Sequence, residues 1–135
     1  MNSAPGNEEA ARDGDRSTIL VVDDNRQNVT ILEHLLKHDY QVVSVYSGEE
    51  CLEAVKTLKP DIILLDVMMP GIDGCEACRR LRADPRLRNV TVIMVSARAM
   101  PSDRERGFRA GADDYVAKPI NLKELRELVR SYLAA

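Results

Sequence analysis

From Thr18 onward the chain alternates short apolar runs with segments of helical period. "TILVV" precedes a segment in which Val29, Leu32, Leu35 and Leu36 recur on one face, and "QVVSVY" precedes "GEECLEAVKTLK". "IILL" precedes "DGCEACRRLRA", and "VTVIMVS" precedes "SDRERGFRAGA". Finally "YVA" precedes "NLKELRELVRSYL", where Leu122, Leu125, Leu128, Val129 and Tyr132 form a stripe. Unbroken or alternating apolar runs fit strands and the 3.6 period fits helices, so the pattern predicts five βα units. A parallel strand pair needs a crossover, and each crossover covers a face of the sheet. The prediction is therefore an α/β fold, a doubly wound (βα)5 arrangement around a parallel five-stranded sheet. Strands buried on both faces read as continuous apolar runs, which places those around Ile19, Ile63 and Ile93 at the centre. The polar interruptions at Gln41 and Ser44, and the Asp113-Asp114 pair, mark the edges.

Helix punctuation agrees with this division. Asp73 and Asn121 stand where an N-cap is wanted, Pro101 suits a first helical turn, and Gly111 lies where the fourth helix should end. Residues 1–17, rich in Asn, Ser, Gly, Pro, Ala, Glu and Asp without apolar periodicity, read as a disordered tail, and residues 18–135 as one domain. At 135 residues the chain can bury a core without disulfide or metal staples.

Charge narrows the classes of partner. The net charge is −3. Four acids against two arginines give the tail −2 and leave −1 for the rest, so bulk charge points to neither nucleic acid nor membrane but to a protein partner. No apolar run approaches the ~18 residues of a spanning helix and no signal-peptide core is present, so the expected location is cytoplasmic. Cys51, Cys75 and Cys78 make an odd count without framework spacing, in keeping with a reducing compartment. "CEAC" is formally C-x-x-C, but Cys78 reads as a small core residue on a helix and Cys75 as its first turn. His34 and His38 have the spacing of a two-histidine metal pair, yet no third ligand lies near in sequence, and they read as solvated. Arg79, Arg80, Arg82, Arg86 and Arg88 read as a solvated basic face.

One stretch resists a purely structural reading. In "DIILLDVMMPGIDG" the apolar run Ile62-Ile63-Leu64-Leu65 ends on the carboxylate of Asp66, which a buried strand does not need. Open parallel sheets bind ligands beyond the carboxyl ends of their strands. There the first strand ends in Asp23-Asp24, the third in Asp66, the fourth in Ser96 and the fifth in Lys118-Pro119. Clustered carboxylates repel, which raises at least one pKa, and a divalent cation relieves the repulsion. Oxygen-only ligands favour Mg2+, with Mn2+ the alternative, and such an ion commonly shares its shell with phosphate. Lys118 can then neutralise a phosphoryl oxygen that the metal does not reach.

"ILVVDDN", "LLDVMMPGIDG", "VSA" and "KP", in this order and at these strand ends, resemble the receiver domain of two-component response regulators over about residues 18 to 134. The resemblance implies a flavodoxin-like sheet of strand order 2-1-3-4-5 and a phosphoacceptor switch. Asp66 would accept a phosphoryl group from the phosphohistidine of a sensor histidine kinase or a histidine phosphotransfer protein. Asp24, Asp66 and the Met68 carbonyl would ligate Mg2+, with Asp23 acting mainly through metal-bound water. Lys118 would pair with phosphoryl oxygens, and the Ser96 hydroxyl would hydrogen-bond one of them. Tyr115 would turn inward when that hydroxyl moves, and the Lys118-Pro119 peptide would be cis. Met68 and Arg98 would flank the path of the hydrolytic water and lengthen the phosphorylated lifetime.

The fourth helix, fifth strand and fifth helix would carry the output, to a downstream protein or a covalently linked output domain. The resemblance leaves open a phosphorylation-driven homodimer, and whether the chain is a stand-alone regulator or a piece of a hybrid kinase or multidomain regulator. Such a domain catalyses only its own phosphorylation and dephosphorylation. Two other readings compete. A Mg-dependent phosphohydrolase with an aspartyl nucleophile wants an acid two residues on, D-x-D, where this chain has Met68. A phosphorylation-independent binding scaffold is disfavoured because no acidic-pocket residue is missing.

Overall fold

The computed structural model describes residues 16–134. The expected tail therefore lies outside the described residues except for Arg16 and Ser17. Those two are tied to the sheet edge: Arg16 Nη2 donates to the carbonyls of Lys37 (2.5 Å) and Tyr40 (2.9 Å), and Ser17 O accepts from Gln41 N at 2.9 Å.

Strands β1 (Thr18–Val22), β2 (Gln41–Val45), β3 (Ile62–Asp66), β4 (Thr91–Ser96) and β5 (Asp114–Ala117) pair in parallel in the order β2-β1-β3-β4-β5. The helices are α1 (Arg26–Leu36), α2 (Gly48–Ala54), α3 (Gly74–Ala83), α4 (Pro101–Ala110) and α5 (Leu122–Leu133), with a 3-10 turn at Pro85–Leu87. The doubly wound arrangement expected from the pattern and the flavodoxin-like strand order that the resemblance implies are the ones observed, with β2 and β5 at the edges.

Side-chain alternation along each strand divides the core between the two faces. Ile19, Val21, Ile62, Leu64 and Ile93 pack with Val29, Leu32 and Leu36 of α1 and with Leu125 and Val129 of α5. On the other face Leu20, Val22, Ile63, Leu65 and Met94 meet the apolar sides of α2, α3 and α4. Both faces of β1, β3 and β4 are thus covered, which is why, past Thr18 and Thr91 at their entrances, those strands carry only apolar residues until their carboxyl ends.

Capping follows the expected residues. The side chains of Asp73 and Asn121 accept from Glu76 N and Glu124 N, Pro101 opens α4, and Gly111 ends it with φ 118°. Three expectations need correction. Helix α2 stops at Ala54 instead of running through Lys59, because residues 56–58 tighten into turns ahead of Pro60. The α5 stripe is buried at Leu125 and Val129, but Leu122 and Tyr132 at its ends are exposed. Tyr132 keeps its hydroxyl at the polar rim, 3.1 Å from Asp114 Oδ2.

The third correction is Arg82, which is not part of a solvated face. Its Nη1 donates to the carbonyls of Val90 (2.7 Å), Arg88 (3.2 Å) and Leu87 (3.3 Å), its Nε to Gly111 O (2.9 Å), and its Nη2 pairs with Asp113 at 2.8 Å. A rigid five-donor guanidinium suits this position, where the chain entering β4 and the end of α4 both present carbonyls. Arg79 and Arg80 pair with Glu76, and Arg86 with Asp84, at the surface.

Candidate functional site at the carboxyl edge of the sheet

Strand register brings the polar residues together. Val22 pairs with Leu65, so Asp23 and Asp66 follow as neighbours. Asp66 pairs with Val95 and Ser96 with Ala117, so Ser96 and Lys118 continue the same row. One carboxylate oxygen each from Asp23, Asp24 and Asp66 lies within 4.8 Å of the others. Asp23 and Asp66 are buried and Asp24 is exposed, so the cluster is walled on the sheet side and open to water on the other.

Each carboxylate is held by its own local contacts. Asp66 Oδ1 accepts from Met68 N at 3.2 Å, and its Oδ2 faces Lys118 Nζ at 3.4 Å. Asp23 Oδ1 accepts from Asn25 N at 2.9 Å, and its Oδ2 meets Lys118 Nζ at 3.3 Å and Asn28 Nδ2 at 3.4 Å. The Lys118-Pro119 peptide is cis. Asn25 and Asn28 carry part of the site that the residue pattern did not single out. The available signal was their N-cap spacing, since the Asn25 side chain also accepts from Asn28 N and starts α1 directly behind the acids.

Burial raises the pKa of Asp66, the facing Asp23 carboxylate raises it further, and Lys118 only partly offsets them, so that it is pushed up to about 6. A group in that state gains from a nearby cation. Three oxygen donors with one side open to water fit Mg2+, which retains several waters, and offer no sulfur or nitrogen that would favour zinc.

Gly74 explains how closely α3 approaches the site. A Cβ there would collide with Asp66 O and come within 2.7 Å of Val67 Cα, both backbone and unable to yield cheaply. Gly74→Ala is expected to destabilise the chain by about 1–3 kcal/mol in urea unfolding, because the backbone at Asp66 and Val67 must shift to admit the methyl group. Wild-type stability in that variant would mean that the strand end yields without cost.

Beyond β4, Ser96 is fully buried and its Oγ accepts from Arg98 N at 3.0 Å. Tyr115 is buried too and its hydroxyl donates to Arg98 O at 2.6 Å, so the ring already points inward. Met68 and Arg98 line one cleft with Asp103 and Arg106, and Arg98 Nε stands 3.6 Å from Asp103 Oδ1.

The remaining candidates carry no such constellation. Cys51, Cys75 and Cys78 are free and buried, and burial raises all three pKa values, to about 12 for Cys51 and about 11 for Cys78. Burial and raised pKa values are the setting of structural thiols, here in the α2–α3 core, and not the electropositive, exposed setting of a redox pair. His34 and His38 are both exposed, and His38 lies beyond the end of α1. Among the described residues no helix is long and apolar enough to cross a membrane.

A doubly wound sheet with three acids, a hydroxyl and a lysine at its carboxyl edge is the architecture of two-component signalling receivers. The family model of the response regulator receiver domain matches residues 19–130, and the chain belongs to that family. It is 40% identical over 116 residues to the alkaline phosphatase synthesis transcriptional regulatory protein PhoP of Bacillus subtilis, covering 85% of this chain and 48% of that protein. It is 45% identical over 114 residues to the response regulator PleD of Caulobacter vibrioides, covering 84% of this chain and 25% of that protein. The chain thus spans about half or less of the length of these relatives. Among solved structures, the receiver domain of the sensor histidine kinase PA1611 of Pseudomonas aeruginosa, with a magnesium ion coordinated in its active-site cleft, is 34% identical with a TM-score of 0.82. That match covers 89% of this chain and all but 1% of the other, at 99%.

Proposed function

We propose that this receiver domain is a phosphoacceptor switch in which Asp66 is the nucleophile. One Asp66 carboxylate oxygen attacks the phosphorus of a phosphohistidine, the P–N bond breaks, and the imidazole of the donor leaves. The observation that carries this reading is the buried Asp66 carboxylate, faced by Lys118 Nζ at 3.4 Å and clustered with Asp23 and Asp24. In-line phosphoryl transfer depends on positioning and on neutralising charge, and a strand end positions a nucleophile better than a mobile loop. Magnesium, when held by Asp24, Asp66 and the Met68 carbonyl, with Asp23 acting mainly through metal-bound water, would supply that neutralisation together with Lys118. The magnesium-bearing receiver from Pseudomonas aeruginosa supports the assignment.

Around this chemistry Lys118 receives the phosphoryl oxygens and Ser96 Oγ donates a hydrogen bond to one of them. Phosphorylation then biases the loop after β4, and α4, β5 and α5 present the changed surface to a downstream protein or a linked output domain. The phosphodonor is a histidine kinase or a histidine phosphotransfer protein, in the cytoplasm. Met68 occupies the position where an aspartyl phosphohydrolase carries its acid, which disfavours turnover of an outside substrate.

Intact mass after incubation with a small-molecule phosphodonor tests the reading. The expected result is a magnesium-dependent gain of one phosphoryl group that Asp66→Asn abolishes. No gain from either a small donor or a phosphorylated kinase domain would reduce the chain to a binding scaffold.

A further inference from the structure

The contacts that fix Tyr115 and the loop after Ser96 converge on a residue outside the acidic cluster. The Tyr115 ring is enclosed on several sides. A Cβ on Gly107 would stand 2.8 Å from it, the Phe108 ring lies 6.4 Å away between centroids, and the Arg104 guanidinium lies 5.5 Å from its centroid. Arg104 does more than cover the ring. Its Nε donates to Ala99 O at 3.1 Å and its Nη1 to Tyr115 O at 3.2 Å. The Tyr115 hydroxyl returns to the same loop at Arg98 O. Loop and strand are therefore closed into a circuit, once through the phenol and once through the guanidinium. At the other end of the loop, Arg98 N donates to Ser96 Oγ.

We propose that Arg104 is the positioning residue that couples Ser96 to Tyr115, because its bridge between Ala99 O and Tyr115 O makes the loop after β4 and the aromatic residue of β5 move as one body. The inference rests on the phosphoacceptor reading, in which Ser96 answers a phosphoryl group on Asp66. A planar fork of donors can span two carbonyls on different elements, whereas lysine is a point charge on a flexible stem that satisfies one at a time. Turning the ring outward breaks its hydrogen bond to Arg98 O and takes it off the Arg104 guanidinium; the bridge from Ala99 O to the Tyr115 backbone carbonyl keeps that acceptor within reach of the phenol, and without the bridge both holds weaken. Arg104 touches neither Asp66 nor Lys118 in any contact among the described residues, so its loss spares the phosphoryl chemistry.

The test uses the full chain labelled with 3-fluorotyrosine, with the Tyr115 resonance assigned by Tyr115→Phe. Wild type, Arg104→Ala and Arg104→Lys are compared with magnesium alone and with magnesium plus a small-molecule phosphodonor, and intact mass is read on the same samples. Wild type is expected to give one Tyr115 resonance that moves on phosphorylation. Arg104→Ala is expected to gain mass to the wild-type extent, while a second, outward Tyr115 resonance grows roughly tenfold and no longer responds to the phosphoryl group. Arg104→Lys is expected to shift in the same direction. A single wild-type-like Tyr115 resonance with the normal response in both variants overturns the proposal. So does an equal disturbance of Tyr40, Tyr46 and Tyr132, which would mark a general loosening. If wild type gains no mass from this donor or from a phosphorylated kinase domain, the phosphoacceptor reading fails, and the Tyr115 resonance of the unphosphorylated variants still decides whether the bridge exists.

Discussion

In magnesium-free buffer above pH 6, Asp66→Asn is expected to be more stable than the wild-type chain by about 2–3 kcal/mol. The cause is the buried carboxylate, which gains little from Lys118 and is opposed by Asp23, so that its pKa is raised to about 6. For an acid whose folded pKa lies above its unfolded value, the folded state binds the extra proton between the two. Its favourable contribution is complete below about pH 4 and is lost as pH rises through about 6. Asparagine keeps the shape and the acceptor for Met68 N but never ionises. The difference between the two chains in urea unfolding should therefore be small at pH 4 and grow to its full size by pH 7. Saturating magnesium should close the gap, because the ion binds the folded wild-type chain and relieves the repulsion. A difference that stayed constant from pH 4 to pH 7 would contradict this account of Asp66.

Lys118→Met is expected to slow phosphoryl uptake from a small donor by about 10²–10³-fold, the usual effect of deleting one group that stabilises developing charge. Methionine keeps an apolar stem of similar length and removes only the ammonium that stands 3.3 Å from Asp23 and 3.4 Å from Asp66. Magnesium affinity should be equal to or higher than in wild type, since the acids lose their competing cation. The separation of the two effects is the informative part. A parallel fall in uptake and in magnesium affinity, followed by titration of the ion against each chain, would mean that Lys118 acts by holding the site together and not on the phosphoryl group.

How much of this was legible in the residues alone depends on the range of the interaction involved. The βα alternation, the central strands around Ile19, Ile63 and Ile93 and the caps at Asp73 and Asn121 are local, so pattern reading reached them. The acids, Ser96 and Lys118 were legible because each ends an apolar run, and in a parallel sheet such ends share one edge. The length of α2 was missed because the turns before Pro60 outweigh a helical pattern that nominally continues.

Arg82 and Arg104 were opaque for a different reason. Both look like members of surface basic runs, and nothing within a few positions distinguishes them from Arg79 or Arg109. What sets them apart is the carbonyls they meet, those of Leu87, Val90 and Gly111 for Arg82 and those of Ala99 and Tyr115 for Arg104. Hydrophobic period and strand-end chemistry determined the class of fold and which residues would gather at its edge, since burial is written residue by residue. Only the tertiary structure decided which arginines are clamps, how near α3 comes to Asp66, and that Tyr115 points inward. Those outcomes depend on distances between chain segments far apart in sequence, which packing alone sets.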